Sequence, residues 1–65
     1  MDQVWKRMKE LAREMAERDK RVSVKAAQAI VLELCEEARV ERPPEPALQF
    51  LAQEFVAMVQ EHTAA

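Results

Sequence analysis

The chain has no glycine and no tyrosine, and only one cysteine, one histidine and one serine. Each shortage removes a kind of chemistry. Without glycine there is no phosphate-cradling loop, whose backbone must approach the nucleotide closely. Calcium loops also need a glycine at their sharp turn, so Glu33, Glu36, Glu37 and Glu41 read as a solvated helix face. A single cysteine allows no internal disulfide, and one cysteine with one histidine does not complete a tetrahedral metal site. No metal or other cofactor is expected. Apolar runs are short, so no membrane span is expected. The opening MDQVWKRMKELAREM lacks the apolar core of an export signal. Together with the free thiol, this points to a reducing, intracellular setting.

Catalytic groups are equally scarce. Ser23 precedes an apolar-periodic stretch, where its natural work is capping a helix. His62 falls in the last turn of a helix, where it can interact with the macrodipole, and nothing near it would orient a general base. Cys35 stands beside Glu36 and Glu37, whereas a reactive thiol needs electropositive surroundings, so it reads as a small core residue. The expectation is a protein without enzymatic activity.

What remains is helix-forming and amphipathic. The 65 residues are 49% hydrophobic and 34% charged, with a net charge of −2. That length makes one small domain, residues 1–65, which buries only about 60% of its unfolded surface. Such a thin interior favours completion by a second chain. Charge is uneven: residues 1–23 carry seven basic and five acidic side chains, residues 24–65 three and seven.

At about 100° per residue, the apolar spacing predicts three helices, over about 2–18, 24–40 and 46–61. In the first, Val4, Trp5, Met8, Leu11, Ala12, Met15 and Ala16 share one arc. Asp2 is the expected cap, and Glu14–Arg18 and Glu17–Arg21 are spaced for ion pairs. In the second, Val24, Ala27, Ile30, Val31, Leu34, Cys35 and Ala38 lie along one side, while Leu32 points elsewhere. In the third, Leu48, Leu51, Ala52, Phe55, Met58 and Val59 form the apolar arc, with Phe50 on the opposite side. Ile30, Val31, Leu34, Leu48, Leu51, Phe55 and Val59 are the expected core. Trp5, Leu32 and Phe50 are the expected partner contacts, large apolar groups left over once the core is drawn.

Between the last two helices stands ERPPEP. Pro43 and Pro44 lack an amide donor and stop a helix, and the residue before each proline is pushed to extended backbone. Pro46 suits the first turn of a new helix, where its missing N–H would be unpaired anyway.

A helix, this corner, and a helix opening with LQFLAQEF resemble the dimerisation and docking domain of the cAMP-dependent protein kinase type II regulatory subunit. The chain looks closer still to the related dumpy-thirty family, whose second helix follows an arginine–proline–proline turn and begins with a phenylalanine–leucine–alanine segment. The matching residues are Arg42, Pro43, Pro44, Pro46, Phe50, Leu51 and Ala52, within residues 24–61. The step from Pro46 to Phe50 is one residue longer than in that family, which rotates the rest of the helix by about 100°. The resemblance implies an all-α fold whose last two helices form an antiparallel hairpin, two copies of which make a four-helix bundle. It also implies homodimerisation and a shallow groove for an amphipathic helix of a partner or scaffold protein.

A different function is suggested by the first helix. Lys6, Lys9, Arg13 and Lys20 form a basic stripe beside Trp5, a pattern suited to nucleic acid or another anionic partner. ERDKRVSVKAAQAIVLELCEEA also resembles the first loop and early central helix of a histone fold, although Pro43 and Pro44 would cut that helix short. Glu10, Glu14 and Glu17 form the adjacent stripe and oppose phosphate binding.

Overall fold

The computed structural model describes residues 2–64, and most of them fall in three α-helices. The first, α1, spans Asp2–Glu17. Val4, Met8 and Ala12 recur once per turn on it and are wholly buried. Asp2, expected as the cap, is instead its first helical residue, with its carboxylate at the positive end of the helix. Asp19 takes a left-handed backbone, φ 54°. Its amide donates to the Ala16 carbonyl at 3.0 Å, and the Lys20 amide donates to that of Met15 at 2.9 Å. This pair of bonds is the Schellman closure of a helix end. Ordinarily it uses glycine; an aspartate is among the few substitutes that adopt the conformation readily.

Helix α2 spans Val24–Glu37. Ser23 caps it as expected: its backbone is extended and its hydroxyl accepts from the Ala26 amide at 3.1 Å. At the other end α2 stops three residues short of the expected Val40. Arg39 turns left-handed at φ 57°, the Arg39 amide donates to Glu36 at 3.1 Å, and that of Val40 donates to Cys35 at 2.9 Å. The helix is thus closed before the proline corner is reached. Residues 40–44 form the corner, in which Pro43 is buried.

Helix α3 spans Glu45–Ala64, longer at both ends than the sequence suggests. The Pro44 carbonyl accepts the amide of Leu48 at 2.9 Å to open it, and Pro46 stands in the first turn, where no N–H is needed. The prolines therefore stop nothing by themselves. They stiffen a short connection and start α3.

Leu48, Ala52, Phe55 and Val59 form the buried stripe of α3. Both α1 and α2 pack extensively against α3 and only lightly against each other. At one end of the bundle Asp2, Val4 and Trp5 lie beside Ala47, Phe50 and Leu51. Further along, Lys9, Glu10 and Arg13 lie beside Met58, Glu61 and His62. The helices α1 and α3 therefore run in the same direction. Among the core residues expected from sequence, Val31, Leu34, Leu48, Phe55 and Val59 are buried. Ile30 and Leu51 are corrected to its margin: both are half-buried and packed against it. The expected core also lacked α1 altogether, although Val4, Met8 and Ala12 fill one side of it.

The radius of gyration is 11.0 Å, against roughly 10.7 Å for a self-contained domain of this length. Surface ion pairs differ from those expected. Arg7 meets Glu10 at 2.7 Å and Arg13 meets Glu17 at 3.4 Å, because Arg18 already belongs to the turn that closes α1 and Arg21 lies beyond it.

Candidate functional site

Two of the three expected partner contacts come together. Trp5 is half-buried on α1, and Phe50, in the first turns of α3, is 57% exposed. They line one concavity with Asp2, Val4, Ala47 and Leu51, and its walls are mostly apolar. The parallel course of α1 and α3 produces this meeting, since it sets the starts of both helices side by side. An exposed phenylalanine alone is ordinary. Here it borders a hollow already lined by tryptophan and leucine, and the whole is an apolar surface larger than one side chain.

The same α1–α3 seam continues past Lys9 and Arg13 to Met58, Glu61 and His62. One end is apolar and the other carries both signs of charge.

Leu32 does not join this surface. It is half-buried and packed against the core, in a shallow depression with Cys35, Glu36, Val40 and Arg42. Its expected outward position is thereby corrected. The early closure of α2 brings Val40 and Arg42 back beside Leu32.

The basic stripe is exposed but divided. Lys6 borders a groove between α1 and α2 with Arg7, Glu10 and Glu37. Lys9 and Arg13 border the α1–α3 seam near Glu61, and Arg13 also pairs with Glu17. Lys20 lies with Arg21 and Val22 against Val56, Val59, Gln60 and Thr63. No single face gathers these four cations without carboxylates among them, apart from the short Lys20–Arg21 step.

Cys35 is buried and unpaired, and burial pushes its thiol above the ordinary value of 9.0. Ser23 is committed to its cap, and His62 is exposed in the last turn of α3. Among the described residues, no three His, Cys, Asp or Glu side chains gather in a metal-binding group. Among the described residues, no helix is long and apolar enough to cross a membrane. Compared with protein-family models, curated proteins and solved structures, the chain gives no significant match.

Proposed function

We propose that the chain is a non-enzymatic association module that pairs with a second copy and docks an amphipathic helix of a partner protein. The observation that carries this reading is the juxtaposition of Trp5 and Phe50 around an apolar concavity. Aromatic side chains at a partly open hollow are the usual anchors of a protein interface. In this reading α2 and α3 form an antiparallel hairpin. Support comes from Val22, at the entry to α2, lying against Val56, Val59 and Thr63 near the end of α3. The helix α1 lies along that hairpin, and the α1–α3 seam is the bed for a helix. From Trp5 to Arg13 that bed is about 12 Å long, room for two turns or slightly more.

Trp5 is the chain's one tryptophan, so its emission reports on the concavity directly. The test is sedimentation at micromolar concentrations, followed by titration with amphipathic helical peptides while Trp5 fluorescence is read. Self-association with a blue shift on peptide addition, absent with a scrambled peptide, is the expected result. A chain that stays monomeric and shows no spectral change would refute the reading.

A further inference from the structure

Apart from the docking surface, we infer that Ser23 is a phosphate-acceptor site for a serine kinase whose acidic substrate cleft reads Lys20 and Arg21. The chain's hydroxyls narrow the choice at once. There is no tyrosine, and Ser23 and Thr63 are the only serine and threonine. The Thr63 hydroxyl donates to the Val59 carbonyl at 2.8 Å, so its proton is engaged, and Glu61 stands two positions before it. Ser23 is exposed and follows the exposed Lys20–Arg21 pair at three and two positions. Charge patterns of this kind are what kinases use to tell substrates apart.

The backbone suits a cleft that takes its substrate extended. Residues 20–23 belong to no helix, and Ser23 itself stands at φ −81° and ψ 162°. The cap draws on a lone pair of Ser23 Oγ, which accepts the Ala26 amide, and the O–H proton takes no part in that bond. Only the first turn of α2 has to open for Val24 and Lys25 to follow Ser23 into the cleft, and helix ends open at little free-energy cost. In the transfer, Ser23 Oγ attacks the γ-phosphorus of a magnesium-bound nucleoside triphosphate. The new O–P bond forms as the bond to the bridging oxygen breaks. The nucleoside diphosphate leaves, and the hydroxyl proton passes to the kinase's catalytic carboxylate.

The surroundings also favour the product. A phosphoserine carries a charge of about −1.5 to −2 at neutral pH. The first turn of α2 has no acidic residue of its own. Lys20, Arg21 and Lys25 lie within three positions of Ser23, and Asp19 is the only carboxylate from Arg18 to Leu32. The α3 residues beside Lys20 and Arg21 are Val56, Val59, Gln60 and Thr63, none of them acidic. A phosphate on Ser23 therefore strengthens the cap, through charge-assisted bonds from the first amides of α2 and from the flanking cations. It stands near the end of α3, whereas the Trp5–Phe50 concavity is at the start, so the modification leaves that hollow uncovered.

The test incubates the folded full chain with magnesium–ATP and a purified serine kinase that prefers basic substrates, and follows intact mass. One phosphate is expected, mapped to Ser23 by fragmentation and absent from Ser23→Ala. The double variant Lys20→Gln, Arg21→Gln, which changes only exposed side chains, should keep its helical content and lose about tenfold or more in rate. A folded chain that takes up no phosphate overturns the site, as does phosphate found on Thr63. A double variant modified as fast as wild type overturns the reading of the basic pair. The purified phosphorylated chain is expected to unfold at higher urea than the unmodified one, by a margin that shrinks with added salt; a lower midpoint overturns the cap.

Discussion

The Val40 amide reaches back to the Cys35 carbonyl at 2.9 Å because Arg39, between them, stands at φ 57°. This bond closes α2, and the residue that makes it possible is badly suited to the task. Left-handed backbone costs a side-chain-bearing residue about 1–2 kcal/mol.

Arg39→Gly is therefore expected to stabilise the protein by about 0.5–1 kcal/mol, and Arg39→Val to destabilise it by at least as much. Urea denaturation measures both. A glycine that lowers stability would mean that Arg39 holds α2 closed through its side chain. The gain at Asp19 should be smaller, since aspartate tolerates the conformation better.

Ser23→Ala removes the acceptor for the Ala26 amide at 3.1 Å. Thermal unfolding should show a loss of about 1 kcal/mol. Ser23→Asp should retain most of the stability, because a carboxylate can accept the same bond.

Phe55 is wholly buried and Phe50 is exposed, although they lie five positions apart on one helix. Phe55→Ala is expected to cost about 3–5 kcal/mol, enough to unfold most molecules of a domain this small. Phe50→Ala should change the stability of the isolated chain by no more than about 0.5 kcal/mol. Comparable losses at both positions would contradict the orientation of α3.

Met8→Ala separates a three-helix unit from one held together by α2 and α3 alone. Because Met8 is fully buried, its truncation should cost about 2–5 kcal/mol in chemical denaturation. An effect near zero would mean that α1 is an appendage.

Burial raises the Cys35 thiol above its ordinary value. The folded state therefore holds its proton more tightly than the unfolded state. The resulting stability is intact below the ordinary value of 9.0 and is lost as pH climbs through the higher folded value. Alkylation by iodoacetamide at neutral pH should be slow in the native chain and rapid in denaturant, and Cys35→Ala should flatten the alkaline decline in stability.

The helices were largely legible because their apolar spacing and the Ser23 cap are local signals. Val31, Leu34, Leu48, Phe55 and Val59 could be placed in the core from the arcs of α2 and α3 alone. The place of Leu32 at the core's margin could not be read this way, because Val40 and Arg42 come beside it only after a glycine-free turn, and nothing in Ala38–Arg39 advertises a left-handed residue. The share of α1 in the core was visible in its arc but not in its destination: a helix reveals its apolar side, not the neighbour it will cover. For the same reason Trp5 and Phe50 could each be singled out, while their meeting required knowing that α1 and α3 run the same way.

The sealing of Cys35 has a practical corollary. Cross-linking of two molecules through sulfur needs an accessible thiolate, and this one is 2% exposed with its proton held by burial. Purification without reductant should yield no covalent dimers from folded protein. Any pairing of the native chains is then held by surface contact alone, and it should reverse on simple dilution in oxidising and reducing buffers alike.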